Sequence, residues 1–300
     1  MLAAGPPLLE RVLGHGPNDP FPYAVGPDLR PVGPLARVPD VNNYVEGLPP
    51  EETTVFVLGA DGPLGRDLFL RLLAGGLVSL QVALGATLLA LLLGVVVGSV
   101  AAWWGGWVDG VLSRLTEFVM AFPFILVMIA IGSRSDAFLD PYTVGGLLAP
   151  GALSLVVIIG AFTWFYPARI VRAQVLGLRR REFVEASRMV GARDWRILRT
   201  GVLPHLLPTL VAYGTLMLAA NILLEAGISF LGVGIEAPTP SWGNLLAANW
   251  GSLLSVVPQP PQPTPPLPTI APCAAIFATV LAFNLVGEGL REAADARGTR

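Results

Sequence analysis

Long apolar runs limit what this chain can fold into more than any other feature of its sequence. The clearest run, residues 77–103, contains about 27 residues without a formal charge, and a helix needs roughly 20 apolar residues to cross a bilayer. Four more runs follow at residues 118–132, 143–166, 206–231 and 269–290. Hydrophobic residues make up 53% of the chain and charged residues only 13%, about half the fraction usual in soluble domains. The sequence therefore predicts an all-α membrane protein, a polytopic helical bundle with five visible spans.

The arginines are concentrated in one segment between two of these runs. Residues 168–201 contain nine arginines, whereas residues 232–269 contain none. Cytoplasmic loops of membrane proteins carry an excess of positive charge, so we expect a cytoplasmic loop at 168–205, a cytoplasmic tail at 291–300 and an external Pro-rich loop at 232–268. Counting back through the spans places residues 1–76 outside, as turns and extended chain followed by a pre-span helix. Residues 77–290 then form the membrane domain.

The composition excludes several kinds of chemistry. The chain contains no lysine, so it has neither the lysine of a Walker A loop nor the lysine amine of a Schiff-base enzyme. His15 and His205 are far apart and do not have the spacing of metal ligands. The single cysteine, Cys273, cannot form an internal disulfide, and its apolar surroundings predict a buried free thiol. We therefore expect no catalytic residue, cofactor, metal or nucleic-acid partner for this chain.

Residues 182–204, the charged segment, are the longest strongly charged stretch of the chain. Apolar residues recur there at helical spacing, and Gly191 interrupts the pattern. The apolar positions are Phe183, Ala186, Val190, Trp195, Leu198 and Val202. We therefore expect two short amphipathic helices with a bend between them. Such a loop is either solvated or docked in the groove of a partner protein.

The charged segment resembles the cytoplasmic EAA loop of permease subunits in binding-protein-dependent ABC importers. The matching positions are Glu185, Ala186, Ser187, Gly191, Ile197, Leu203 and Pro204. The third motif position, often alanine in the family, is Ser187 here. The resemblance implies that these residues form a coupling helix that inserts into a cleft of a separate ATP-hydrolysing subunit. The plainer alternative is an ordinary amphipathic loop.

Further stretches resemble the dipeptide, oligopeptide and nickel class of these permeases. They are LGAD…GRD…R at residues 58–71, SFLGVG at 229–234, PTPSWGN at 238–244 and FNLVGEGLR at 283–291. The first stretch carries one inserted residue relative to the class, and its Asp67 also suits a helix cap. The resemblance covers residues 58–298, and it implies an importer permease for peptides or for a related small solute such as nickel.

The resemblance also implies an assembly in the inner membrane. It contains two permease subunits, usually two different ones, with two ATP-binding subunits and an external solute-binding protein. The class usually has six spans with both chain ends inside, whereas five are visible here, so we expect a further helix before residue 1. The prolines of residues 258–268 also depart from the class and predict a stiff polyproline II segment.

Small and polar residues inside the spans suggest specific roles. Gly94 and Gly98 form a G-x-x-x-G pattern, which either permits close helix packing or arises by chance in a glycine-rich chain. Pro123 predicts a kink, and the charged residues 107–117 before it predict a short polar turn. Asn221 and Glu225 lie in an apolar run, and an ionisable residue there is a candidate for the translocation pathway. In the alternative, Glu225 lies near the interface, where it pairs with a neighbour or reaches water.

Two other functions stay open from the sequence. A secondary transporter driven by an ion gradient needs no ATPase, but it predicts paired intramembrane charges or inverted repeats, whereas the spans show the isolated Glu225. A membrane scaffold subunit would tolerate changes at Glu185 and Gly191. Neither alternative explains the run of motifs as well as an importer permease does.

Overall fold

The computed structural model describes residues 10, 13–26, 31–39, 53–132, 148–254 and 267–298. Within these residues three helices are long and apolar enough to cross a membrane, Leu68–Trp104, Asp194–Phe230 and Leu267–Ala293. The number rises to five if each of two bent helix pairs is one span. The helical architecture agrees with the predicted bundle, and the five predicted spans equal the highest number that the described helices allow.

The elements of the described chain are short strands followed by helices. The strands are β1 (Ala36–Pro39), β2 (Thr53–Phe56), β3 (Ala60–Asp61) and β4 (Arg66–Asp67). The helices are α1 (Leu68–Trp104), α2 (Gly106–Ala121), α3 (Phe124–Gly132), α4 (Ala152–Thr163), α5 (Phe165–Leu178), α6 (Glu182–Met189), α7 (Asp194–Ile197), α8 (Leu203–Phe230), α9 (Trp242–Leu254) and α10 (Leu267–Gly298). A π-helical turn, Leu198–Val202, joins α7 to α8.

Helix α1 begins before the predicted start of the first span. Its first residue is Leu68, because the Asp67 carboxylate accepts hydrogen bonds from the backbone N–H groups of Phe69 (2.8 Å) and Leu70 (3.2 Å). The first turn of a helix leaves such donors without a partner inside the helix. The helix-cap interpretation of Asp67 is therefore confirmed, and the expected pre-span helix is the first part of α1.

Helix α2 corrects the interpretation of residues 107–117 as a short polar turn. Gly106–Ala121 is one amphipathic helix. Its Asp109 carboxylate accepts hydrogen bonds from Nε and Nη2 of Arg172 at 2.5 and 2.6 Å. The charge that interrupts the apolar pattern is thus paired with a residue far along the chain. Helices α2 and α3 meet at 76° around Pro123, which confirms the predicted kink.

Both long loops are more helical than expected. Helix α5 continues to Leu178, so the loop predicted at 168–205 begins inside a helix. The loop predicted at 232–268 contains α9.

A reciprocal pair of hydrogen bonds begins α9: Asn244 N–H donates to Ser241 Oγ (3.2 Å), and Ser241 N–H donates to Asn244 Oδ1 (2.9 Å). This is the geometry of a capping box. Residues 258–266 of the predicted polyproline segment lie outside the described residues.

The chain divides into two compact units. Unit 1 comprises Met1–Val82, Gly132–Leu153 and Ile222–Ala278. Unit 2 comprises Ala83–Ile131, Ser154–Asn221 and Thr279–Arg300. In unit 1, β1 pairs antiparallel with β2, and β3 with β4. The small core of this N-terminal part consists of Phe21, Ala24, Val38, Phe56 and Ala60.

In unit 2, α1 and α5 pack closely at the predicted G-x-x-x-G pattern. A Cβ atom at Gly94 would lie 2.7 Å from Pro167 Cγ, and one at Gly98 would collide with the carbonyl oxygen of Ala168. Glycine at both positions lets the two backbones approach. The close-packing interpretation is therefore confirmed, and the chance interpretation is wrong.

Cys273 corrects another expectation. The thiol is free and exposed in the described chain, whereas an apolar run predicted burial. The reason is that a membrane helix presents apolar residues to lipid as well as to protein, since lipid tails are as apolar as leucine.

Candidate functional site

The charged segment forms two short helices with a sharp turn between them, as predicted. Gly191 lies in the turn with φ +82°, a conformation that glycine adopts without the penalty of a Cβ atom. Its N–H donates to the Arg188 carbonyl at 2.9 Å, and the Ala192 N–H donates to the Ser187 carbonyl at 3.0 Å. These bonds close the end of α6, and the chain then enters α7 and the π-helical turn.

The inner surface of the charged segment is apolar and buried. The charged segment contributes four residues to a buried apolar cluster, namely Val184, Ile197, Leu198 and Val202. The rest of the cluster consists of Ala102, Trp103, Val171, Val175 and Leu206. Leu203 packs against the same cluster. The motif residues Ile197 and Leu203 therefore hold the segment against the ends of α1 and α5, and they do not lie on the surface open to a partner.

The outer surface of the segment carries the other motif residues. Glu185, Ala186, Gly191 and Pro204 are exposed. Three large apolar side chains lie beside them, Met189 (83% exposed), Val190 (89%) and Trp195 (62%). The apolar positions of the predicted helices are divided between the two surfaces, since Val190 and Trp195 are exposed whereas Leu198 and Val202 are buried. The segment therefore has one buried and one exposed apolar surface.

Ser187 and Phe183 fix α6 from within. The Ser187 hydroxyl donates to the Phe183 carbonyl at 2.7 Å, so serine at the third motif position needs no partner outside the helix. The Phe183 ring stacks on His205 with centroids 5.2 Å apart. Gly201 lies close to the same ring. Together these contacts hold α6 against the beginning of α8.

The two polar residues predicted for the pathway are buried. Asn221 Nδ2 donates to Thr87 Oγ1 at 2.8 Å, and Thr87 Oγ1 donates to the Ala83 carbonyl at 2.7 Å. Glu225 is 0% exposed, and its Oε1 accepts a hydrogen bond from Ser229 Oγ at 2.8 Å. The alternative in which Glu225 reaches water does not agree with this burial. A role along the pathway stays a prediction for both residues.

Sequence reasoning missed a buried charge cluster at the beginning of α1. Asp61 Oδ2 lies 2.6 Å from Arg71 Nε and 3.7 Å from Arg66 Nη2. Asn249 Nδ2 donates to Asp61 Oδ1 at 2.5 Å. The stretch 58–71 could have indicated this cluster, because it contains two aspartates and two arginines at short spacing. Elsewhere too, within the described residues, no group of three or more His, Cys, Asp or Glu side chains is placed to hold a metal ion.

The candidate spans define a multi-pass α-helical membrane protein, and the charged segment between two of them is exposed on one side. The family described as the binding-protein-dependent transport system inner membrane component matches residues 90–300. The chain belongs to this family. It is a permease component of the inner membrane, and its partners include an ATPase and a binding protein.

Named proteins are similar to this chain over a longer stretch than the family model matches. A Brucella ovis protein whose name describes a peptide permease is 38% identical over 80% of this chain and 72% of its own length. The glutathione transport system permease protein GsiD of Pectobacterium atrosepticum is 32% identical over 80% of this chain and 72% of its own. GsiD of an Escherichia coli strain is 34% identical over 78% and 70%. The predicted importer permease is confirmed, and the secondary transporter and scaffold alternatives are not supported.

Proposed function

We propose that this chain forms one half of the translocation pathway of an ATP-driven importer for short peptides, and that the charged segment couples it to the ATPase. The single observation that carries the coupling proposal is the exposed outer surface of the charged segment. Motif residues and large apolar side chains lie there together, whereas the inner surface is buried in the chain's own core.

The outer surface suits a protein groove. Met189, Val190 and Trp195 offer apolar area beside the charge of Glu185, and buried aromatic anchors next to polar groups are typical of protein interfaces. Glu185 makes no ion pair within the described chain, so its carboxylate is available for a basic residue of the ATPase. Ala186 and Gly191 leave room for close approach, and Ser187, Ile197 and Leu203 hold the conformation of the segment through internal contacts. Pro204 is exposed at the end of the segment.

The names of the relatives favour peptides over nickel. The Brucella protein is named for peptides, and GsiD is named for glutathione, which is itself a small peptide. The proposed assembly has two ATP-binding subunits, a second and different permease subunit, and an external solute-binding protein that delivers the peptide. Transport follows alternating access, which requires that the ATPase contact the permease differently in its two states.

Asn221 and Glu225 fit this proposal as supports of the pathway. Each is buried and hydrogen-bonded inside its own unit. We propose that Asn221 acts on the pathway by joining α8 to Thr87 of α1, since polar bonds between membrane helices contribute about 0.6 kcal/mol on average. Glu225 acts through its bond to Ser229 within α8.

ATP hydrolysis by the reconstituted complex tests the proposal. The chain is co-expressed with a permease, an ATPase and a binding protein of the same genome, and the complex is placed in lipid vesicles. The binding protein is added empty, loaded with a peptide mixture, or loaded with nickel. We expect only the peptide-loaded form to stimulate hydrolysis and uptake. Stimulation by the nickel-loaded form alone would overturn the peptide assignment, and the absence of any associated ATPase would overturn the coupling proposal.

A further inference from the structure

The C-terminal end of α1 lies directly against the charged segment. Trp103, in the last turn of α1, is only 3% exposed. The Arg188 guanidinium carbon lies 5.3 Å from the centroid of its ring, within the range in which a cation is attracted to an aromatic face. The neighbouring Trp104 is 53% exposed, so the two adjacent tryptophans have different environments.

Arg188 joins three elements. It lies on α6, its guanidinium covers Trp103 of α1, and its Nε is 3.8 Å from Asp194 Oδ1 at the beginning of α7. A second arginine supports the same junction, because Arg179 Nη1 donates to the Ala102 carbonyl at 3.2 Å. Carbonyl groups in the last turn of a helix have no partner inside the helix. Both arginines therefore attach the end of α1 to the chain around the charged segment.

The surroundings make this junction stiff. Trp103 packs in the same buried cluster as Val184 of α6 and Ile197 of α7. The preceding part of α1 is held against α5 at Gly94 and Gly98. Closely packed interiors transmit displacement instead of absorbing it. A displacement of α6 must therefore either carry the end of α1 with it or break the contact between Trp103 and Arg188.

We propose that Trp103 and Arg188 are positioning residues for coupling: through their contact, movement of the charged segment is delivered to α1. Neither residue touches the solute or the nucleotide. The inference rests on the proposed function, because it requires an ATPase that moves the charged segment. It goes beyond that function by naming the receiving helix and the two side chains that join it to the segment.

The number of peptides imported per ATP hydrolysed measures this coupling. The complete complex carries Trp103→Ala, Arg188→Gln or both, and uptake and hydrolysis are measured in the same vesicles with a peptide-loaded binding protein. We expect each single substitution to lower the ratio by about three- to tenfold, as befits loss of one partly buried cation–π contact. Hydrolysis continues in each variant, and the ATPase stays associated. The double substitution lowers the ratio no further than one single substitution, because both remove the same contact.

Matched controls separate this contact from general damage. Trp104→Ala removes the adjacent, exposed tryptophan, and Arg180→Gln removes a nearby exposed arginine. Both should keep the wild-type ratio. Arg188→Lys retains a cation and should restore part of the ratio lost in Arg188→Gln. If Trp103→Ala does not assemble, Trp103→Phe and the Arg188 variants provide the test.

The outcomes distinguish the two proposals. Wild-type uptake that does not depend on ATP would overturn the proposed function. Wild-type uptake that depends on ATP, together with an unchanged ratio in Trp103→Phe, Trp103→Ala and Arg188→Gln, would overturn this inference alone. An equal loss in Trp104→Ala and Trp103→Ala would also overturn it, since the effect would then not depend on the buried contact.

Discussion

Glu185 is the residue at which the coupling proposal is most easily tested. Its side chain is exposed and makes no ion pair within the described chain, so a change there does not disturb an internal contact. We expect Glu185→Lys to reduce ATP-dependent uptake by at least about tenfold, because charge reversal at an interface with a basic partner is strongly unfavourable. The measurement is uptake and ATP hydrolysis in reconstituted vesicles, with the amount of membrane-inserted protein determined in parallel.

Glu182→Lys is the matched control for that prediction. Glu182 is an exposed glutamate on the same helix but outside the motif. Its variant should transport at a rate close to wild type. Full uptake by Glu185→Lys would contradict the role proposed for the carboxylate.

The protonation of His15 makes the stability of the N-terminal part of unit 1 depend on pH. Nδ1 lies 3.1 Å from the Leu13 carbonyl oxygen, and Nε2 lies 3.1 Å from Asp67 Oδ2. Both partners are acceptors, so only the doubly protonated ring satisfies both. Burial, the largest effect, lowers the pKa of His15. The hydrogen bonds to Asp67 and Leu13 and the charges of Asp67 and Asp19 outweigh it, so the pKa is raised above 6.5.

The raised pKa predicts loss of stability on the alkaline side. A group whose pKa is higher in the folded state stabilises the fold, and its contribution is complete below the unfolded-state pKa, about 6.5 for histidine. This contribution disappears as the pH rises through the folded-state pKa. We expect the protection of amides in residues 13–26 and 53–67, measured relative to the intrinsic base-catalysed exchange rate, to fall over that range. His15→Gln should remove this pH dependence of protection, whereas His205→Gln, at an exposed site in unit 2, should leave it unchanged.

At the scale of helices, the contact between α1 and α5 depends on glycine. A Cβ atom at Gly98 would meet the Ala168 backbone, whereas a Cβ atom at Gly110 of α2 would meet nothing within 4 Å. We expect Gly98→Ala to destabilise the protein by about 1–3 kcal/mol, as is typical of overpacking. Gly110→Ala should be neutral or stabilising, since alanine favours a helix by up to about 1 kcal/mol over glycine. Thermal unfolding of both variants in detergent provides the comparison. A lower melting temperature for Gly110→Ala than for Gly98→Ala would contradict the packing argument.

Serine hydroxyls make hydrogen bonds at the end of α8. Ser229 Oγ donates to Glu225 and accepts a hydrogen bond from the backbone N–H of Ile235 at 3.2 Å. Ser79 Oγ of α1 accepts a hydrogen bond at 3.2 Å from the backbone N–H of Trp242, the first residue of α9. In this way serine hydroxyls join the end of α8 to the residues after it, and α1 to the beginning of α9, within unit 1. Buried polar groups need such partners because a missing one costs about 1–3 kcal/mol.

At the scale of the whole molecule, the distribution of arginine predicts orientation. In a Cys273→Ser background, a single cysteine replaces Val57 or Arg193, both on exposed positions. We expect a membrane-impermeant maleimide to label Val57→Cys in intact spheroplasts and to label Arg193→Cys only after permeabilisation. The reverse pattern would show that the predicted orientation is inverted.

The energy source of transport is also a property of the whole assembly. We expect uptake in proteoliposomes to continue when ionophores collapse all ion gradients, and to stop when ATP is replaced by an analogue that is not hydrolysed. A vesicle with ATP inside but no binding protein outside serves as the control and should show little uptake. Uptake that follows an imposed ion gradient without ATP would contradict the importer mechanism.

Much of the fold was predictable because it depends on neighbouring residues. Apolar runs long enough to cross a bilayer, the kink at Pro123 and the bend at Gly191 are local properties of the chain. The motif from Glu185 to Pro204 was likewise readable as a pattern. Residues 107–117 were misinterpreted because their charges resemble those of a solvated turn, and the partner of Asp109 is Arg172, far along the chain.

The sequence by itself determined the presence of apolar runs long enough to cross a membrane, the absence of lysine chemistry and the family of the permease. Only the tertiary structure decided which motif residues face outward, so that Glu185 and Gly191 are exposed whereas Ile197 is buried in the cluster that contains Trp103. It also decided that Glu225 is fully enclosed and that α9 occupies the expected loop. The physical reason is that periodicity and turn preference act over a few residues, whereas burial of a side chain depends on distant elements that pack against it.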